Sequence, residues 1–288
     1  MPRKKTNNQE AEVPALPEQD ASAQVIAQDP AIKGKRRPGR PDSKNAGSVN
    51  RLAILRMAMK LAVRTPLQDL SIVTVAKAMN VTPALIHYYI GGRDWLTSGV
   101  MNLFYRDLLR KWPKVTGDWR KDLEAAAHCL YDHFVRYSGI AAYVVSNSRF
   151  RVFQLTAFGD RDYGVEMLDR MTGLVRATGL GPARTGIYAS QMIDFITQTG
   201  HSAALHLYPA EHRAFLDEKS SRLEESRYPN IAYARFAPLE IDGEVAVREG
   251  LDLFFLGIAA ESSGLSLEEA IQTMMTKKQR GEPAEKAN

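Results

Sequence analysis

Cysteine is almost missing from this chain: Cys129 is the only one in 288 residues. No intrachain disulfide can form, which fits a reducing compartment. Multi-cysteine zinc sites and iron–sulfur clusters are excluded as well. Long apolar runs are also lacking. The densest, Ile140-Ala-Ala-Tyr-Val-Val145, falls far short of the ~20 apolar residues of a membrane span. No apolar h-region follows the opening Met-Pro-Arg-Lys-Lys, so no secretory signal is expected and the protein reads as cytoplasmic with no membrane partner. Catalytic signatures are absent: there is no Gly-x-Ser-x-Gly, no His-Glu-x-x-His and no phosphate-binding Gly-x-x-x-x-Gly-Lys. Gly179-Leu-Gly-Pro-Ala-Arg184 opens like a dinucleotide loop but lacks the third glycine, and reads better as a helix stop and start. His128 and Asp132 are spaced i, i+4 without a third ligand, and His201 and His206 point to different faces. The chain is expected to be no enzyme and to hold no metal or cofactor.

What is present is ordinary in bulk, with 44% hydrophobic and 25% charged residues. Such a chain can bury a core without staples. The charge is unevenly placed. Residues 33–65 carry ten basic residues against one acid, Asp42, while the whole chain is only +5, so the remainder is net acidic. A basic segment on an acidic body suits a polyanion, although a solvated linker has the same composition. Residues 1–47 have no aromatic residue and no sustained periodicity, and read as a disordered arm. Within it, Lys33-Gly-Lys-Arg-Arg-Pro-Gly-Arg-Pro41 cannot be helical because of Pro38 and Pro41. An extended Gly-Arg-Pro flanked by cations suits a narrow minor groove and resembles an AT-hook core, with Arg36, Arg37 and Arg40 as the contacts.

From Ser48 the pattern turns helical. Ser48 or Asn50 can cap a first helix to about Arg64, with Leu52, Leu55, Met59 and Ala62 on one face. Ser71 can cap a second helix over about 72–79, with Val75, Ala76 and Met79 inward. Thr82 can cap a third, Pro83 to Ile90, which Gly91-Gly92 stops. A fourth runs from about Arg93 to Trp112. Further helices are expected near 118–137, 139–147, 162–178, 183–207 and 243–262, with 208–243 irregular or in short helices. Ser266 and Glu269 form a capping box for a last helix, and the tail 277–288 reads as disordered. No alternating run calls for a sheet, so the fold class is all-α.

Two short helices joined by a tight turn behind a longer one read as a helix-turn-helix. The helix from Pro83 carries His87, Tyr88 and Tyr89 in a row, more polar-tipped rings than a core helix needs. As a recognition helix, its small Thr82, Pro83 and Ala84 admit the N-terminus to base edges while His87 and Tyr88 bond phosphates. At this point residues 48–112 resemble the DNA-binding domain of the TetR family of bacterial regulators. Val81-Thr-Pro-Ala-Leu-Ile-His-Tyr-Tyr-Ile-Gly-Gly-Arg-Asp-Trp-Leu96 follows the family's pattern, apart from His87 where a tyrosine is usual and Arg93 where a lysine is usual. On that pattern Ser48, Arg51, Ser71, Thr74, Leu85 and Arg93 join the DNA-facing set. The resemblance extends loosely to about 262, through Glu166–Gly179, Tyr228-Pro-Asn-Ile231 and Gly250–Gly257.

The resemblance implies an all-helical homodimer. A helix-turn-helix domain at 48–95 is joined to a ligand-binding and dimerisation domain at 96–276, dimerised through helices near 183–207 and 244–262. Phe254, Phe255, Ile258, Met192, Phe195 and Ile196 offer apolar surface for that interface. A pocket among the body helices would be lined by His128, Phe134, Tyr137, Tyr143, Met192, Phe195 and Thr199, each of which could equally be plain core. Rings with few charges point to an apolar or aromatic effector. The expected function is a ligand-responsive regulator of operator DNA, most simply a repressor. The rival is a DNA-architectural protein that uses the arm and ignores ligands.

Overall fold

The structure, a computed structural model, describes residues 49–146, 154–157, 160–234, 240–264 and 269. The arm with Arg36, Arg37, Arg40 and Ser48, the last helix expected from Ser266, and the tail 277–288 lie outside these, Glu269 apart. Among the described residues there is no strand.

Three helices form the N-terminal head: α1 (Arg51–Leu61), α2 (Ile72–Met79) and α3 (Pro83–Ile90). Asn50 supplies the α1 cap, its side chain accepting from Ala53 N at 2.9 Å. A short 3-10 turn, Leu67–Asp69, follows Pro66. Ser71 caps α2, and Asn80 ends it in the left-handed conformation at φ 54°, which asparagine tolerates better than most residues. Pro83 then opens α3, where its missing N–H costs nothing. The head core is Ile54, Leu55, Ala58, Met59, Ala62, Val75, Ala76, Ile86 and Ile90. Leu52, expected inward, is exposed, because the buried stripe of α1 is centred on Ile54 and Ala58.

Helix α4 (Arg93–Leu109) runs out of the head and packs on α1 and on the body. It ends three residues before the expected Trp112, since the approach to Pro113 disfavours helix. The body comprises α5 (Trp119–Arg136), α6 (Ser138–Ser146), α7 (Tyr163–Arg176), α8 (Pro182–Ala204) and α11 (Gly243–Ser262), with two short helices, α9 (Arg213–Ser221) and α10 (Pro229–Ala234), between α8 and α11. The α8 helix packs against α5, α6, α7 and α11. Asn102 clamps α4 to the start of α7, donating to Arg161 O at 3.0 Å and accepting from Tyr163 N at 2.8 Å.

Asp122 fixes the start of α5. Its buried carboxylate accepts from Thr116 N (2.8 Å), Thr116 Oγ1 (2.7 Å) and Gly117 N (3.0 Å). Burial alone would raise its pKa, but these bonds outweigh it and hold the group below the ordinary carboxylate range. A lowered folded-state pKa means stabilisation that is present above the unfolded pKa of about 3.9 and lost as pH falls below it. Asp122→Ala should therefore lower Tm by several degrees at neutral pH, with the gap to wild type closing as pH drops towards 3. Thermal melts at both pH values check this; a gap of equal size at pH 3 would show the carboxylate charge to be irrelevant.

Candidate nucleic-acid interface

Helix α3 buries only Ile86 and Ile90; Thr82, Pro83, Ala84, His87 and Tyr88 are exposed and Leu85 and Tyr89 half-buried. An eight-residue helix with two inward residues has most of its surface to spare. Thr82 sits at the N-cap position but makes no side-chain cap bond. Its hydroxyl therefore has no partner among the described residues. Tyr88, 61% exposed, stands edge-on to Tyr89 at 5.2 Å between ring centroids, and His87 Nδ1 lies 3.5 Å from Gly91 O. Small side chains at the helix start and hydrogen-bonding rings one turn later suit a helix entering a major groove.

The other expected contacts are placed less freely. Ser71 and Thr74 bond each other at 2.8 Å while Ser71 Oγ caps Thr74 N, so both hydroxyls already hold the α2 start. The Arg51 guanidinium lies over the Trp95 ring, 5.9 Å from its centroid. Arg93, expected to face phosphate, is exposed and donates to Gln68 O in the 3-10 turn. Lys77, exposed in the last turn of α2, is a further cation of the head that helical spacing alone did not single out.

Head and body meet through α6. Ser138 Oγ donates to Val63 O at 2.8 Å, and Gln68 Nε2 donates to Ser146 Oγ at 3.4 Å, so both ends of α6 are tied to the segment between α1 and α2. Gly139 lies against the α1 end so closely that a Cβ would overlap Thr65 O and stand 2.6 Å from Ala62 O. Gln68 has no periodic signature, and its place at this three-way junction of turn, α4 and α6 emerges only in the tertiary structure.

The expected ligand-lining residues have different surroundings. Phe134, Tyr143 and Met192 are buried in the core, Phe134 5.2 Å from Phe104 between ring centroids. Thr199 is buried. Tyr137 stacks edge-on to His133 and Phe104. Phe195 packs on Phe254 and over Gly250, inside its own chain. His128 lines a separate cleft between α4 and α5. The apolar surface offered for dimerisation is also largely spent: Phe255, Ile258, Met192 and Ile196 are buried within the chain, while Leu253 (71%) and Ile187 (41%) are the exposed large residues of α11 and α8. Among the described residues no cluster of three His, Cys, Asp or Glu could hold a metal, and no helix is long and apolar enough to cross a membrane.

A three-helix head carrying a helix-turn-helix on an all-α body defines the fold class. Solved structures place it further. The chain is similar to apo ActR from Streptomyces coelicolor, with TM-score 0.60 and 16% identity over 75% of this chain and 98% of that one. It is also similar to the same protein, described as a TetR family protein, in complex with actinorhodin, with TM-score 0.63 and 16% identity over 75% and 98%. SCO7222, a TetR transcriptional regulator from Streptomyces coelicolor, matches with TM-score 0.59 and 16% identity over 74% and 99%. No protein-family model matches the sequence, and no curated protein matches it. The chain has the TetR-family fold.

Proposed function

We propose that the protein is a ligand-responsive, DNA-binding transcriptional regulator, a homodimeric repressor released from its operator by a small, largely apolar or aromatic effector. The observation that carries the reading is the open face of α3, with Thr82, Pro83, Ala84, His87 and Tyr88 exposed at the front of a helix-turn-helix. Residues 48–95 act as the head and 96–276 as the ligand-binding and dimerisation body, the division falling in the first turn of α4. The arm 1–47 adds phosphate contacts. The effector side is supported by the TetR-fold neighbour ActR, which has been solved with actinorhodin.

Dimerisation is supported by uncovered apolar surface. Neither α9 nor α10 has a buried residue, and Leu205, Leu207, Phe215, Ile231 and Tyr233 are exposed in the segment between α8 and α11, as are Leu253 of α11 and Ile187 of α8. Ordering such a segment costs about 1–2 kcal/mol per residue in backbone entropy, which apolar burial against a second copy would offset. Two heads would then meet half-sites about one DNA turn, ~34 Å, apart. The effector acts by binding better to a dimer with a different head spacing, which lowers operator affinity by that difference, typically ~1–3 kcal/mol.

The test is fluorescence anisotropy on the protein's own upstream DNA against a scrambled duplex at two salt concentrations. A specific regulator should favour the upstream DNA by ~1000-fold or more, with two subunits per site. Equal binding to both would favour the architectural rival. In the same assay Tyr88→Ala should weaken binding by roughly tenfold, the order of one charge-assisted phosphate bond. Its Tm should hardly move, because the side chain is exposed. Unchanged affinity would remove Tyr88 from the interface.

A further inference from the structure

Away from the head, a cleft of about 470 Å³ opens between the end of α4 and one face of α5. Its six polar lining residues are Lys111, His128, Cys129, Asp132, His133 and Arg136. From His128 onward the α5 members stand at i, i+1, i+4, i+5 and i+8, so one helix face presents them together.

The floor is His133, 3% exposed. Its Nε2 lies 3.0 Å from Phe104 O, an acceptor, so Nε2 carries the proton and Nδ1 is left as an acceptor. Burial pushes the imidazole down to about 4, and Lys111 and Arg136 push it the same way, so at neutral pH it is uncharged. Beside it the Cys129 thiol donates to Lys111 O at 3.6 Å; burial and Asp132 hold its pKa up, which leaves a weak polar wall and no nucleophile. On the rim Lys111, Arg136 and Asp132 are exposed, and none of them forms an ion pair among the described residues. Arg136 lies over the Tyr137 ring, which leaves its guanidinium edge open to an acceptor.

Two unpaired cations on the rim, a bare imidazole nitrogen on the floor and one carboxylate to the side form a particular set. The cations take an anionic head, His133 Nδ1 takes a hydrogen-bond donor, and Asp132 takes a second donor while disfavouring a second negative charge. We propose that this cleft binds a hydroxylated monocarboxylate, with its carboxylate between Lys111 and Arg136 and a hydroxyl on His133. The volume lies within the range of small-molecule sites. The site is separate from the apolar interior among the body helices, and its occupancy does not depend on the DNA-binding reading.

The test uses full-length protein without DNA and gluconate as the probe, by isothermal titration calorimetry. Hexanoate lacks the hydroxyls, sorbitol lacks the carboxylate, and sulfate supplies charge alone. Gluconate should bind at least tenfold more tightly than any of the three. The double variant K111Q/R136Q should lose at least tenfold in gluconate affinity at unchanged Tm, both side chains being exposed. Asp132→Asn should instead tighten binding of the dicarboxylate glucarate several-fold relative to wild type, a gain that damage to the fold cannot produce. No detectable gluconate binding, sulfate binding as tightly as gluconate, or affinity indifferent to K111Q/R136Q would each overturn the proposal.

Discussion

Gly139→Ala is expected to weaken operator binding by at least tenfold and to lower Tm by several degrees. The added methyl has nowhere to go. It would overlap Thr65 O and stand 2.6 Å from Ala62 O, and both are backbone atoms at the end of α1 that no rotamer change can move aside. Helix α6 must therefore back away from the head. Doing so stretches the Ser138 bond to Val63 O and loosens the Gln68 bond to Ser146, the two ties that hold α6 across the α1–α2 segment. Overpacking of this kind costs about 1–3 kcal/mol in stability, a few degrees for a chain of this size. The larger effect falls on DNA. In a dimer, a small rotation of each head at its junction changes the distance between recognition helices, and a mismatch with the half-site spacing is felt by every contact at once. Ser138→Ala is the calibrating variant, since it removes one tie, about 1 kcal/mol, without displacing the backbone. Anisotropy and thermal melts on both variants check the argument. Gly139→Ala with wild-type operator affinity would mean that the α1–α6 junction does not set head spacing.

The head was legible in the sequence because its boundaries are written in residues with few alternatives. Pro83 at the first turn and Gly91-Gly92 at the end bracket α3 as expected, and Asn80 takes the left-handed turn that separates it from α2. Helices with softer ends are shorter than their sequence pattern predicts. The expected 183–207 helix stops at Ala204, and α4 stops at Leu109, where neither glycine nor a cap announces the end. The body's site residues were the least legible. Phe134, Tyr143 and Met192 sit at helical spacing that serves a core and a pocket equally, and in the structure all three are buried among the body helices. Arg93 shows the same limit for polar residues. A cation at a helix start suits a phosphate, and a glutamine in an aperiodic turn gives no warning that its carbonyl also accepts from Arg93. His133 carries no signal in the sequence, because a lone histidine on an amphipathic helix has no motif; its bond to Phe104 O joins residues 29 apart in the chain.

Deletion of residues 1–47 should change the salt dependence of DNA binding more than any point substitution in the head. The deleted segment includes Lys33, Lys35, Arg36, Arg37, Arg40 and Lys44, with Asp42 as the only acid after residue 32. Each cation that neutralises a phosphate releases a counterion and steepens the fall of log K with log salt by about 0.9. If most of the six engage, the slope should flatten by roughly 4–5 and affinity at ~0.1 M salt should drop by well over tenfold. The arm and α3 can then be told apart by sequence dependence. Phosphate contacts carry no base information, so an arm that only tracks the backbone lowers affinity for operator and scrambled DNA alike, and the specificity ratio, set by α3, stays the same. An arm whose Arg37-Pro-Gly-Arg40 enters a minor groove is drawn to the narrow groove of A·T tracts, so deletion would also erase a preference for operators flanked by them. Tyr88→Ala in the full-length chain supplies the contrast, with a shift of about one phosphate contact and little change of slope beyond that. An unchanged slope after deletion would mean that these cations never reach DNA, and specificity and affinity would then both rest on the head alone.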